Sequence, residues 1–501
     1  MLIIVSLPKR CFLWALKSAC NLFIIPTMSH HQIRFFFLIF FLLYGTGCRK
    51  FLDLKTPITK TEAKGIYENN ETANMVLFNM YGSMFYEEAS PYRLARNSGF
   101  CADELKPAWD PNAQELYINK ISATNPYINN LWTGGYGFIR ISNELYWGCN
   151  SSTGLDPAVR KRLMAEALFL RAYWFFYLTN FFGDIPLPTT TDINVNIMLP
   201  KTRKEDVYKQ IISDLLSAQK DLEDNYVGTD GKSSSNERNR PNKATATALL
   251  ARVYLYTKQY KEAEEQTSII IAKNDTYALV PLDQVFLKNS METIWQLSPI
   301  TPNDGVINTT EGTGFILTEP PQNKMQQTVS SFLLDAFEEG DQRKVQWIGS
   351  YTDPNTDTTY YYPSKYKRSS GDDLTEYSMI FRLAEIYLIR AESRAHLGKM
   401  SAAISDLNRI KRRAGLAELN DTTIDINALS GIILKERRVE LFTEQCHRWF
   451  DLKRTGNIDS VMNIVCPLKS GKWDSPMQLL PIPHADLKRA PNLVQNPGYE
   501  Q

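Results

Sequence analysis

No two cysteines in the 501 residues are spaced as CxxC, no HExxH occurs, and no GxSxG marks a nucleophile elbow. The first absence removes thioredoxin-like and zinc-ribbon chemistry. The others remove the common zinc-protease and α/β-hydrolase arrangements. Histidine is scarce. Only His396, His447 and His484 lie beyond residue 31, too few for a multi-histidine metal site, so neither a metal nor another cofactor is expected. An excess of one charge is also lacking. Lys+Arg is 56 and Asp+Glu 55, which leaves no basic field to hold nucleic acid. No apolar run reaches the roughly 20 residues of a membrane-spanning helix. What is present is a globular composition, 43% hydrophobic and 22% charged, sufficient for a large core. Aromatic residues make up 12%, including nine Trp and 25 Tyr. Such residues fill cores, and their flat faces also stack on sugar rings.

The N-terminus carries a targeting pattern. Arg34 precedes the apolar run Phe35–Tyr44, and Gly45, Thr46 and Gly47 lead to Cys48. A basic residue, a short apolar stretch and small residues before a cut describe a secretory signal. Met28 to Gly47 alone makes a complete signal, so Met28 is the expected start and residues 1–47 the expected leader. A cysteine directly after the small residues predicts lipidation at Cys48, which anchors a protein without spanning the membrane. Gly45 stands where the usual lipobox has Leu, and ordinary secretion with cleavage near Gly47 is the alternative. Loss of residues 1–47 removes four of the 56 basic residues and none of the 55 acidic ones, leaving a net charge of −3.

Most of the remaining chain reads as helix. Ala165–Phe182 is apolar almost all round and predicts a buried helix, stopped by Gly183 and Pro186. Glu205–Leu222 is amphipathic, residues 228–241 read as a polar loop, and Lys243–Tyr256 with Lys261–Ile271 read as a helix pair. The pair repeats: Ala251, Leu255, Tyr260, Ala263 and Ile270 correspond, at a constant offset of 140, to Ala391, Ala395, Met400, Ala403 and Ile410. Small residues at fixed places in a helical hairpin are the tetratricopeptide pattern. Ala172 and Phe176 mark a looser third copy. The copies are not tandem in the chain. The predicted fold is therefore mainly α, a tetratricopeptide-like scaffold with long loop insertions and minor β. The insertions are residues 98–132, 298–321 and 345–366, the last with Tyr360, Tyr361 and Tyr362 and read as short strands or loops. Long insertions on a rigid scaffold are where binding tends to reside.

Several segments taken in order resemble the SusD/RagB family. Cys48-Arg-Lys-Phe51-Leu52-Asp53 through Pro57 is similar to its anchor segment. Ala165-Glu-Ala-Leu-Phe-Leu-Arg171-Ala-Tyr173, then Phe182-Gly183-Asp184-Ile-Pro186, is similar to its first strong helix and turn. Phe381-Arg382-Leu-Ala384-Glu385 through Glu392, and Asn408-Arg409 through Arg413-Ala414-Gly415-Leu416, resemble its C-terminal repeat. Glu436-Arg437 to Leu441, His447-Arg448-Trp449 to Arg454, Pro481-Ile-Pro483 and Gln495-Asn496-Pro497-Gly498-Tyr499 complete the resemblance. Gln445-Cys446 departs from it, since Gly is common before the His-Arg pair; a changed local turn is the expected result. The resemblance implies a leader at 1–47, a SusD-like N-terminal region at 48–290 and a RagB/SusD C-terminal region at 291–501. It implies a lipoprotein on the outer face of the outer membrane that binds oligosaccharide, or peptide in RagB-like members. It implies delivery to a SusC-like TonB-dependent transporter, without catalysis.

Each site candidate has a structural reading beside it. Glu436, Arg437, Glu440, Arg448, Asp451 and Arg454 could suggest an acid-base site but read as structural ion pairs. Glu385 and Glu392, seven apart, could suggest a secreted glycoside hydrolase, the rival class, but read the same way. Gly228-Thr-Asp-Gly231-Lys232-Ser233 has its glycines two residues too close for a phosphate loop. For ligand binding the choice is Trp109, Asn112 and Tyr117, because indole and phenol faces stack on sugars and an amide both donates and accepts. Their Trp-x-x-Asn spacing resembles sugar-contacting positions in the family's starch-binding member. Trp132, Trp147, Trp174, Trp295 and Trp449 are expected in the core. A protein that only holds a partner through its repeats is the third reading.

Overall fold

Asp110, Asn125 and Asp156 each stand directly before a proline, and each begins a helix. Their side-chain oxygens accept from the backbone N–H of Asn112, Tyr127 and Ala158. Proline is suited to the first helical position because its missing N–H would have no partner there. The computed structural model describes residues 65–87, 89–299, 308–322, 326–371 and 373–500. The leader and Cys48 lie outside the described residues.

The principal helices are α1 Asn70–Tyr86, α2 Pro91–Cys101, α3 Pro111–Tyr117, α4 Pro126–Ser151, α5 Pro157–Phe182, α6 Lys204–Asp221, α7 Lys243–Tyr256, α8 Tyr260–Ile271, α9 Leu383–His396, α10 Met400–Arg413, α11 Ile426–Glu440, α12 His447–Arg454 and α13 Ile458–Leu468. The strands are β1 Leu105–Pro107, β2 Thr293–Leu297, β3 Gln327–Val329, β4 Ile348–Thr352, β5 Thr359–Pro363 and β6 Ser378–Arg382. They form three two-stranded antiparallel ribbons, β1 with β3, β2 with β6 and β4 with β5. The mainly helical class with minor β is as expected.

The helices from α4 to α10 pack in order, each on the next. The gap of more than 100 residues between the second and third helix pairs is therefore closed in space: α8 lies against α9, and the intervening chain leaves and returns. Ala251, Ala263, Ala391 and Ala403 are all fully buried. A methyl group at these four positions lets paired helices approach closely, which is why the 140-residue offset is visible in alanine. Residues 345–366 form the β4–β5 ribbon. There Tyr362 faces Gly349, where a Cβ would stand 2.4 Å from the ring.

Three expectations are corrected. Helix α5 begins at Pro157, eight residues before Ala165. Arg162 in that part is buried in an ion pair at 2.8 Å with Glu166 one turn on, so the buried face is partly ionic and escapes an apolar pattern. Residues 98–132 are not wholly irregular, since they hold β1, α3 and the start of α4. Trp132, Trp174, Trp295 and Trp449 are core, but Trp147 is not. It is 44% exposed on α4 and its indole N–H donates to the Thr189 carbonyl at 3.1 Å.

The departure at Gln445-Cys446 is a local turn, with φ of 45° and 63°. L-residues adopt this left-handed region at a cost. Here the Gln445 side chain is held on both ends: Oε1 accepts from the Tyr173 and Tyr177 hydroxyls at 3.2 and 2.6 Å, and Nε2 donates to the Met379 carbonyl at 3.2 Å.

Candidate ligand-binding surface

Trp109 sits between two fixed points. On one side, Pro107 ends β1, in register with Gln327 of β3, and Ala108 N–H donates to the Gln326 carbonyl at 3.1 Å. On the other, Asp110 is buried. It caps α3 through Asn112 N–H at 2.9 Å, accepts from the Tyr127 hydroxyl, and lies 3.5 Å from the Arg96 guanidinium. Arg96 is fully buried. It lies over the Phe100 and Tyr127 rings at 4.7 and 5.1 Å, and its Nε donates to Gln327 Oε1 at 3.0 Å. Gln327 in turn donates to the Gly314 carbonyl at 2.6 Å. Helix α2, ribbon β1–β3 and helices α3 and α4 thus clamp the two residues that flank Trp109. The indole itself is 67% exposed. Held in this way, the indole offers a flat apolar face to water, the kind of surface that stacks on a sugar ring.

Asn112 lies half-buried in the first turn of α3, three residues from Trp109. Its backbone carbonyl accepts from Asn125 at 3.0 Å. Tyr117 ends the same helix, half-buried against the main core, with Lys469 Nζ 4.8 Å from its ring centre. Burial raises its phenol pKa. Tyr117 is five helical positions after Asn112, about 140° around the axis, so the two do not share a face. Trp109 is exposed, Asn112 is half-buried one turn on, and Tyr117 belongs to the packing beneath. Sequence reasoning missed Arg96, Asp110, Tyr127 and Gln327, which hold the loop. The Asp-Pro start of α3 was the one signal for them.

The acid-base candidates are committed elsewhere. Both Glu385 oxygens accept from Arg252, at 2.6 and 2.7 Å, and both Glu392 oxygens accept from Arg454, at 2.5 and 2.8 Å. Arg343 takes Glu436 and Glu440 at 2.5 and 3.0 Å, and Arg437 takes Asp451 at 2.8 Å. Burial alone would raise the Glu440 pKa, but Arg413, Arg382 and Arg343 hold it far below the usual carboxylate range. Each acid is spent on an arginine, which is the structural reading. The segment at Gly228 is a loop in which Lys232 pairs with Asp156 at 2.6 Å. Among the described residues no helix is long and apolar enough to cross a membrane.

A stack of helical hairpins with inserted ribbons is a scaffold of the tetratricopeptide-like kind. The comparisons place it. The SusD family model matches residues 188–499, and a second model, described as starch-binding associating with outer membrane, matches residues 50–255. The chain belongs to the SusD family. It is 26% identical to SusD-like protein P2 of Formosa agariphila, over 94% of this chain and 100% of that one. It is 24% identical to a SusD-like protein of Bacteroides ovatus, over 82% and 80%. Among solved structures, a SusD superfamily protein from Bacteroides vulgatus superposes with TM-score 0.72 at 19% identity, over 87% of this chain and 100% of that one. Surface glycan-binding protein A from Bacteroides uniformis superposes with TM-score 0.71 at 20% identity, over 85% and 99%.

Proposed function

We propose that this protein is a surface lipoprotein of the outer membrane, anchored through Cys48, which binds a glycan and passes it unaltered to a SusC-like TonB-dependent transporter. The observation that carries the binding part is Trp109: an indole 67% exposed on a loop clamped at both ends. A platform already in place binds a sugar ring without the cost of ordering a loop. Asn112, one turn into α3, supplies an amide for hydroxyls, and Tyr117 braces the far end of that helix. Family membership supports the reading, as does the likeness in fold to surface glycan-binding protein A. The absence of catalysis is supported by Glu385 and Glu392, the pair considered for glycoside hydrolysis, which are both held by arginines rather than free to move protons.

The test is a binding screen of the full chain against plant, host and microbial glycans and against peptides, with Trp109→Ala alongside. A glycan recovered intact and bound at least fivefold more weakly by the variant is the expected result. Peptide binding without glycan binding would replace the ligand class. Cleavage of a bound glycan would overturn the non-catalytic reading.

A further inference from the structure

A second surface of the scaffold is a cavity of about 500 Å³ where four helix ends meet: the last turns of α5, α7 and α12 and the first turn of α6. Its lining is basic. Lys204, Lys209, Lys258, Lys453 and Arg454 face Glu205 as the one carboxylate. Two of the five cations are committed elsewhere, Lys209 to Asp206 at 2.7 Å and Arg454 to Asp451 at 2.7 Å. The other three are not. Lys258 is exposed and held at a left-handed φ of 59° by the turn after α7. Lys204 is half-buried beside the Tyr208 ring, and Glu205 and Asp184 act on it without closing to an ion pair among the described residues. Lys453, also half-buried, donates to the Asn180 carbonyl at the end of α5, which uses one of its three donors.

An ammonium withdrawn from water without a counter-ion is costly, so cations gathered this way need an explanation. Lys453 has one structural use, since a lysine on the last carbonyls of a helix is a common cap. That use does not account for Lys204, which adds a like charge beside it. The Tyr256 ring lines the same cavity, while its hydroxyl is buried beneath, toward Asp451 and Arg454. The first turn of α6 is already capped from outside, where Asp184 Oδ1 accepts from the Lys204 N–H at 2.9 Å, so the cavity's positive character comes from the lysines.

We propose that this cavity is a binding site for an oxyanion, a sulfate or carboxylate group on a ligand no larger than about one sugar unit, held by Lys204, Lys453 and Lys258. Burial and the neighbouring Lys204 push the Lys453 ammonium well below the usual lysine range. A bound anion returns the charge to it. The site does not depend on the function proposed for Trp109.

Calorimetric titration of the full chain with inorganic sulfate, glucuronate and glucose at fixed ionic strength tests it. Sulfate and glucuronate should bind saturably and glucose should not. Lys204→Gln and Lys453→Gln should each weaken binding about tenfold. Tighter glucuronate than sulfate assigns the site to an acidic sugar; tighter sulfate assigns it to the free or esterified inorganic anion. Lys453→Gln also loses the bond to Asn180, so its melting temperature is measured beside it. Lys204→Gln touches no such contact and keeps the test decisive. Trp109→Ala should bind sulfate as the parent does, which separates this site from the glycan surface. No saturable anion binding, or binding unchanged in both lysine variants, would overturn the proposal.

Discussion

Asp103 and Arg448 stand 345 residues apart in the chain and meet in a two-pronged pair, Nε to Oδ1 and Nη2 to Oδ2, both at 2.8 Å. Arg438 adds a further contact to Oδ2 at 2.8 Å. The contact ties the segment after α2, which carries the Trp109 loop, to the C-terminal helices α11 and α12. Asp103 is buried, and burial alone would raise its pKa. Arg448 and Arg438 reverse that and hold it at about 2.

Removing one side of this pair leaves buried charge without a partner. Asp103→Ala should therefore destabilise the protein by about 3–5 kcal/mol at pH 7. Since the folded pKa lies below the unfolded one, the pair's contribution is complete above about pH 4. It is lost as pH falls through 2. Urea denaturation of parent and variant across this range checks both statements. Equal stability at pH 7 would refute the first.

The neighbouring Glu104 behaves in the opposite sense. Burial first, and the adjacent Asp103 second, push its pKa to about 7. Its Oε1 has no hydrogen-bond partner. A carboxyl raised above its unfolded value stabilises the fold below the unfolded pKa. That contribution disappears as pH rises through about 7. Glu104→Gln should thus be near neutral at pH 5 and stabilising at pH 8. A variant whose melting temperature tracks the parent at both values would contradict this.

The buried alanines of the repeat set the distance between helices. Ala391→Leu adds three carbons where α9 has no room and should cost about 1–3 kcal/mol or more through overpacking. Leucine at an exposed helical position of the repeat, Ser405 on α10, should fall within about 0.5 kcal/mol. Thermal denaturation of both variants separates packing from helix propensity.

Trp109 and Tyr117 should come apart in a paired measurement. Trp109→Ala removes an exposed side chain, so stability should move by less than about 0.5 kcal/mol while glycan affinity falls by at least about 1 kcal/mol. Tyr117→Ala opens packing over Lys469 and should lower stability by about 1–3 kcal/mol. Loss of stability from Trp109→Ala, with no change in binding, would return that residue to a packing role.

The repeat was legible because alanine recurs wherever two helices approach, and helix α7 was placed to the residue. The start of α5 was not, because Arg162 and Glu166 are polar letters in a buried face. Whether a given tryptophan faces core or water was also beyond local pattern. Trp147 and Trp174 both lie on helices rich in aromatics, and one is 44% exposed while the other is fully buried.

The sequence by itself determined the helical class, the hairpin repeat and the family, since each depends on residue type at short, regular spacing. Tertiary structure alone decided that α8 lies on α9, that Asp103 meets Arg448, and that the Trp109 indole is left in water between two clamped neighbours. These are relations between segments more than 100 residues apart, or between a side chain and whatever covers it, and no local periodicity encodes them.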